Sequence, residues 1–434
     1  VGAATRRIRT NIGAYDGDPN RIVRKGSRNA YVQAMHVCLV SATFPPDVCG
    51  VGDQTFQLAL ALRRAGVQVT VLTSDRGSSN GPSQAPAGIV VKRAVASWTL
   101  RRLPTLVRTL RAGGYDLVHM QYTSNLYGRR TLAVNLLPYL LARPLFVTVN
   151  EFYSPMSRGL RNVVGGLYDR VKDTLLIWGS TAVIVTIPSR ASRLSGLFPW
   201  LGRRIHTIAS SANLLPDGGL PDERARTRSL LGIGPDELVI GSFGLLHTDR
   251  RYELLFRVVR RLLDQGHRLR LLLIGSYGHD DPYYRYLVQC VTNLRLGPHV
   301  TWTGFGSPPE ISRWLLASDL YAMTDLRGAS GRKSSLMSAL AHGLPVVSTQ
   351  GPDTERVFVE SDGIVLIDPH DEEDSLVRHI DRLLKDGEER GRLAGRARQL
   401  YQSGFGWDRT AQRHIEVYRQ HLPGERPAAP SVPV

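Results

Sequence analysis

Apolar positions in this chain come in short blocks whose spacing switches between two periods. His36–Ser41 is a mostly apolar run of strand length, and Ala42–Gly52 after it is a loop carrying Pro45, Pro46, Gly50 and Gly52. From Asp53 onward, Phe56, Ala59 and Leu60 recur with helical spacing, Gly66 stops the pattern, and Val67–Thr73 alternates. Strand, turn, amphipathic helix and strand in that order predict one βαβ unit, with Asp53 as the helix cap.

The same order restarts near residue 237. Glu237–Ser242 reads as a strand and Phe243–Asp249 as a turn. Arg251–Gln265 reads as a helix with Leu254, Leu255, Val258 and Leu262 on one face. Gly266 stops that helix and Leu269–Gly275 is the next strand. The alternation continues through His299–Gly304, Glu310–Ala317, Asp319–Met323, Ser335–His342 and Leu344–Ser348. Two alternating blocks imply an α/β protein with two parallel-sheet domains. Leu214–Asp236 between them is rich in Pro, Gly and charge, and the linker is placed at residues 216–236 within it. Residues 1–34 hold seven bases against two acids without periodicity, a basic extension before Met35. Residues 423–434 are Pro-rich and expected to be a disordered tail.

Composition narrows the class. With 434 residues, 42% hydrophobic and 21% charged, the chain is an ordinary globular protein rather than a fibrous or disordered one. Three cysteines (Cys38, Cys49, Cys290) are too few for a disulfide framework or a four-ligand zinc site. A cytoplasmic location with reduced thiols is expected. No run reaches the ~18 charge-free apolar residues of a membrane span, and Thr174–Ser189 fits a helix end followed by a buried strand. The polar, basic start lacks the apolar core of a signal peptide.

The net charge of +17 carries information through its kind of base: only five of the 55 basic side chains are lysine. That skew is typical of a GC-rich bacterial genome. No element interleaves bases with aromatics, so nucleic acid is not the expected partner. Phosphate-bearing small molecules or an anionic membrane surface suit the charge better. Ser97–Arg111 combines Trp98, Leu100, Leu103, Leu106, Val107 and Leu110 with Arg101, Arg102, Arg108 and Arg111. That composition fits either a helix lying on a membrane surface or a core-packed amphipathic helix interrupted near Pro104.

Ligands of open α/β sheets bind beyond the carboxyl ends of the strands, which singles out the loops there. Gly50 and Gly52 in the first loop permit close backbone approach at a helix start; a tight structural turn is the competing reading. Gly244–Arg251 sets His247, Arg250 and Arg251 at the head of a helix, where unpaired amides and the dipole already favour phosphate. Leu326–Ser338 brings Arg332, Lys333, Ser334 and Ser335 to another helix start, and amides at the two serines can cradle a diphosphate that the two bases neutralise. Metal-ligand patterns are poor: Asp16-Gly17-Asp18 lies in the extension, Asp371–Asp374 reads as an exposed helix start, and His279-Asp280-Asp281 has no second cluster. No metal is expected, because lysine and arginine can balance a leaving phosphate.

At this level of detail the chain resembles the retaining GT-B glycosyltransferases of family four over residues 35–422. The resemblance rests on V-S-A-T-F-P-P-D-V-C-G-V-G-D-Q-T at 40–55, D-L-V-H-M-Q-Y at 116–122, A-H-G-L-P-V-V at 341–347, and F-G-W-D at 405–408 followed by Tyr418. It implies two Rossmann-like domains facing across a cleft: an acceptor domain at 35–215, a nucleotide-sugar domain at 237–405, and a helix at 406–422 returning to the first. It also implies a nucleotide-diphospho-sugar as donor substrate, a small-molecule hydroxyl or amine acceptor, and no cofactor.

The family's phosphate-binding lysine falls on Arg250, which keeps the charge and adds a two-pronged fork. Gly244 shares that loop, Gly50 and Gly52 would approach the donor phosphates from the other side, and Gln121 and Tyr122 would meet the acceptor. The family's paired glutamates fall on Ser330 and Ser338, and its "T-x-H-E" segment reads Thr148-Val149-Asn150-Glu151. The resemblance therefore assigns catalysis to Asn150, Glu151, Arg250 and Lys333. Donor binding is assigned to Gly50, Gly52, Gly244, His247, Arg250, Ser330, Arg332, Lys333, Ser334, Ser335 and Ser338. Two other readings compete with this one: a catalytically silent GT-B scaffold, motivated by the missing carboxylates, and a membrane-surface transferase with a lipid acceptor, motivated by Ser97–Arg111.

Overall fold

The computed structural model describes residues 35–422 apart from 48, 76–87, 124, 129–130, 153–159 and 217–221. The basic extension, Asp16, Asp18 and the Pro-rich tail therefore lie outside the described residues.

Two parallel sheets form, one from each alternating block. The first contains β1 (His36–Val40), β2 (Gln68–Ser74), β3 (Ile89–Val95), β4 (Leu117–Thr123), β5 (Leu145–Glu151), β6 (Ala182–Val185) and β7 (Ile205–Thr207), in the order β3-β2-β1-β4-β5-β6-β7. The second contains β8 (Leu238–Phe243), β9 (Leu269–Ile274), β10 (Val300–Trp302), β11 (Leu320–Met323), β12 (Val346–Thr349) and β13 (Val365–Ile367), in the order β10-β9-β8-β11-β12-β13. In each sheet the order reverses beside the first strand of the block, opening a crevice at the carboxyl ends of β1 and β4 and of β8 and β11.

Alternation along β1 divides the first domain into two cores. Val37 and Leu39 pack with Leu58 and Leu62 of α1 (Gly50–Arg64). Cys38 and Val40 pack on the opposite face with α2 (Leu103–Ala112), α3 (Leu160–Gly179) and α4 (Pro188–Leu197). Trp98, Leu103, Leu106 and Leu110 are all buried in that second core, so the Ser97–Arg111 segment is a core-packed helix. This favours the core-packed reading of that segment over the membrane one: four of its six apolar residues are spent inside the domain, Val107 is half-buried and Leu100 alone is exposed.

Helix α1 begins at Gly50, one turn before the expected cap, so Asp53 stands inside its first turn. A Cβ on Gly52 would lie 3.2 Å from the Thr43 carbonyl carbon, and the missing side chain lets the helix start against the loop after β1. The stretch expected as a linker holds α5 (Glu223–Leu230), tied to the second domain by Arg224 and Arg228 pairing with Asp319 at 2.6 and 3.1 Å.

The second sheet carries α6 (Tyr252–Asp264), α7 (Pro282–Asn293), α8 (Pro308–Ala317), α9 (Ser334–Ala341), α10 (Glu372–Lys385) and α11 (Gly387–Leu400). After α11 the chain passes through a wide turn at Tyr401–Phe405 and returns as α12 (Trp407–His421). Trp407, Ala411, Ile415 and Tyr418 of α12 enter the core shared by α1 and β1. Inside that core, His119 Nδ1 and Tyr418 Oη are 2.6 Å apart, and His119 Nε2 meets Thr148 Oγ1 at 2.8 Å. Burial, then the neighbouring His414, keeps His119 neutral by pushing its pKa well below the ordinary histidine value. The final helix thus crosses back to the first domain. Among the described residues no helix is long and apolar enough to cross a membrane.

Candidate functional site

Positive charge and free helix amides converge where the second sheet faces the first. Arg250 Nη1 donates to the Phe243 carbonyl at 2.8 Å and its Nη2 to Ser335 Oγ at 2.9 Å, tying the turn after β8 to the head of α9. Gly244 makes this possible. Its φ is +140°, and a Cβ there would sit 2.6 Å from Arg250 Nη2. Gly275, at the end of β9, has φ +141° and lies flush against the Gly244 carbonyl, so both loops stay low at this edge.

Lys333 sits at the N-cap of α9 and bonds Asp325 Oδ2 at 2.5 Å. Burial lowers its pKa, and the Asp325 carboxylate opposes that fall. Ser334 and Ser335 open the helix with no side-chain cap at Lys333, leaving first-turn amides unclaimed beside two cations. Phosphate oxygens fit this arrangement. His247, also expected here, is exposed and accepts from the Asp249 amide at 3.2 Å, shaping the outer part of the turn.

The remaining expected donor residues divide. Ser338 is buried, donates to the Ser334 carbonyl at 2.8 Å and accepts from the Leu214 amide at 3.4 Å, so its hydroxyl ties the segment leaving the first domain to α9. Ser330 is buried with no hydrogen-bond partner for its hydroxyl. Gly50 and Gly52 stay within the first block's own contacts: Asn213 donates to the Gly50 carbonyl at 3.3 Å, and Gly52 lies against the Thr43 backbone.

On the opposite wall, Asn150 and Glu151 end β5. Arg190, near the start of α4, donates to the Asn150 carbonyl. Glu151 faces Arg332 of the second domain at 3.9 Å, and Arg332 also lies 3.6 Å from Asp353. Burial and then the charge of Arg332 lower the Arg190 pKa to about 10, with Glu151 and Asp353 pulling the other way. Two guanidiniums from different domains therefore approach each other here. Glu355 adds a carboxylate by accepting from the Gly331 amide at 2.5 Å.

Comparison with known proteins fits this geometry. Residues 223–400 match the model described as "Glycosyl transferases group 1", and residues 49–209 match a "Glycosyl transferase 4-like domain". Together the two matches span most of the chain, one for each sheet. The chain belongs to the group 1 glycosyltransferases.

Similar curated proteins include D-inositol 3-phosphate glycosyltransferase of Stackebrandtia nassauensis, 23% identical over 91% of this chain and 92% of that one. Spore coat protein SA of Bacillus subtilis is 25% identical over 56% of this chain and 66% of its own. Among solved structures, HepE of Anabaena in complex with UDP and glucose superposes with a TM-score of 0.68 at 18% identity, covering 88% of this chain and 99% of that one. Sucrose-phosphate synthase of Thermosynechococcus elongatus gives 0.63 at 19% identity, covering 89% and 98%. These structures share the two-domain GT-B fold.

One pair of expectations for this glycosyltransferase needs correction. Gln121 and Tyr122 end β4 as anticipated, but both are buried. Tyr122 donates its hydroxyl to Asp173 at 2.8 Å, and the Gln121 side-chain amide lies against His119 at 3.4 Å. Alternation along the strand sends the two side chains to opposite faces of the sheet, so neither stands at the cleft as an acceptor contact.

Sequence reasoning missed Arg190, Asp353 and Glu355. All three follow carboxyl ends of strands (β6 or β12), so the rule that singled out the other loops applied to them as well. Among the described residues no group of three or more His, Cys, Asp or Glu is placed to hold a metal ion.

Proposed function

We propose that this glycosyltransferase transfers a sugar from a nucleotide-diphospho-sugar to a hydroxyl or amine of a small acceptor, with retention at the anomeric carbon and without a metal ion. The observation that carries this reading is the convergence of Arg250, Lys333 and the first amides of α9 at one edge of the second sheet. As the glycosidic bond breaks, negative charge accumulates on the departing diphosphate, and preorganised donors there lower the barrier by ~3–4 kcal/mol each. The departing phosphate oxygen takes the acceptor proton on the same face of the sugar, which explains retention without a dedicated base. Asn150 and Glu151, on the facing wall, orient sugar and acceptor. The complex of HepE with UDP-glucose supports a nucleotide donor of this kind.

An acceptor bearing phosphate suits Arg190 and Arg332, which approach from the two domains with only partial compensation by Glu151 and Asp353. The name of the D-inositol 3-phosphate glycosyltransferases supports the same class.

The experiment is to incubate the protein with UDP-, GDP-, ADP- and dTDP-sugars and inositol phosphates in the presence of EDTA. Nucleotide release is followed, and the product's anomeric configuration is read by NMR. Release of one nucleotide with a retained configuration is expected; an inverted product, or turnover that EDTA abolishes, overturns the corresponding part of the reading.

A further inference from the structure

Helix α3 sends Leu176 and Ile177 into the core, yet along the rest of its length its polarity is inverted. Its inward side carries Lys172 and Asp173, each only 1% exposed, while Val164, Leu167, Val171 and Trp178 are 61%, 60%, 48% and 54% exposed. The inward charges belong to an internal network: Lys172 pairs with Asp169 at 3.0 Å, and Asp173 accepts from Tyr122 at 2.8 Å. The outward residues recur at helical spacing, forming one apolar stripe along the helix. At its end the stripe widens, because Trp178 meets Trp200 at 6.5 Å between ring centroids and exposed Tyr139 donates to the Leu175 carbonyl at 2.9 Å.

The surroundings of this stripe are basic. Right-handed crossovers put α2, α3 and α4 on one face of the first sheet, and their core confirms that they form one layer. Arg204 donates to the Trp178 carbonyl at 3.2 Å and Arg111 to the Leu140 carbonyl at 2.6 Å, which fixes two guanidiniums at the margin of the apolar surface. Arg108 and Arg193 are also exposed on this layer, and Arg203 is exposed on the turn Pro199–Arg204 that follows α4 and carries Trp200. The layer's acids, Asp169 and Asp173, are engaged internally.

We infer that the outer surface of the α2–α4 layer docks on an anionic lipid bilayer. Exposed aliphatic side chains enter the acyl boundary, tryptophans suit the interface, and arginines at the margin meet anionic headgroups. Charge complementarity selects this occupant. A second copy joined through the same face would set one basic margin against another, on chains that each carry +17. The basic segment 1–34 would meet the same repulsion. The inference is independent of the sugar chemistry, and it moves the apolar part of a membrane contact from the Ser97–Arg111 segment to α3, leaving Arg108 and Arg111 of that segment at the basic margin.

The test is sedimentation of the full chain with vesicles of phosphatidylglycerol and phosphatidylcholine, and with phosphatidylcholine alone, at low and high salt. The wild type is expected to sediment with the anionic vesicles, less so at high salt, with a blue shift of tryptophan fluorescence. The triple variant Val164→Ser, Leu167→Ser, Val171→Ser is expected to melt like the wild type and to lose at least ~10-fold in vesicle affinity. Arg203→Glu gives a second, purely electrostatic variant and should weaken binding only to the anionic vesicles. A wild type that stays in the supernatant overturns the inference, as does undiminished binding by the triple variant. So does a dimer in sedimentation velocity that the triple substitution abolishes without any vesicle binding, which would assign the face to a second copy.

Discussion

The carboxylate of Glu355 accepts a hydrogen bond from the Gly331 amide at 2.5 Å, directly beside the position where the family resemblance calls for a glutamate and the chain has Ser330. The loop after β12 thus sets a carboxyl group beside Ser330, while the carboxylate of the loop after β11, Asp325, is taken up by Lys333. Two glycines let these loops meet: a Cβ on Gly328 would lie 2.4 Å from the Gly351 amide, and one on Gly351 would lie 2.3 Å from the Leu326 carbonyl.

Glu355 gives a pH signature. Burial raises its pKa from 4.5 to about 7, against the opposing pull of the Gly331 amide. Between those values the folded chain keeps a proton that the unfolded chain has released, so this group adds stability as pH falls through the window and costs stability above it. His206 and His414, lowered to about 4 chiefly by burial, act in the opposite sense and lose stability as pH falls below 6.5. The readout is therefore a difference. Glu355→Gln should gain stability over the wild type at pH 8 and lose that advantage at pH 5 in urea denaturation; an equal difference at both pH values would contradict the assignment.

Gly244→Ala should damage the site through its backbone. The +140° φ disfavours any side chain, and the added carbon collides with the Arg250 guanidinium at 2.6 Å. A cost of ~1–3 kcal/mol in stability is expected. Nucleotide affinity should fall at least ~10-fold as the fork is displaced. Calorimetric titration checks this, and unchanged affinity would mean that Arg250 does not touch the donor.

Tyr418→Phe tests the return of α12. It leaves His119 Nδ1, deep in the first domain, without its partner at 2.6 Å. A loss of ~1–3 kcal/mol follows from a buried unsatisfied group. Denaturant melts of the full chain measure it, and an unchanged midpoint would show that this bond does not hold the crossing helix.

Much of this was legible in the sequence because two features repeat with the sheet: short apolar strands, and glycine-bearing turns at their carboxyl ends. Arg250, Lys333, Ser334 and Ser335 were found by that rule, and the structure brings them together. Asp53 was misjudged as a cap because nothing local reveals that Gly52 packs against the Thr43 backbone. Gln121 and Tyr122 were misplaced because a strand end does not say which side chains are already engaged by a returning helix or an inner network. The inversion of α3 was hidden as well. A helix with apolar residues on several sides does not disclose which of them the core takes, and here Tyr122 draws Asp173 inward.

The most direct test titrates UDP, GDP, ADP and dTDP into the wild type and into Arg250→Ala, following binding by calorimetry and turnover with the matching sugar donor. One nucleotide should bind the wild type, with affinity and turnover in the variant both reduced, turnover by at least ~100-fold. A variant that binds and turns over like the wild type, while keeping its melting temperature, would contradict the claim that Arg250 and the head of α9 hold the donor phosphates.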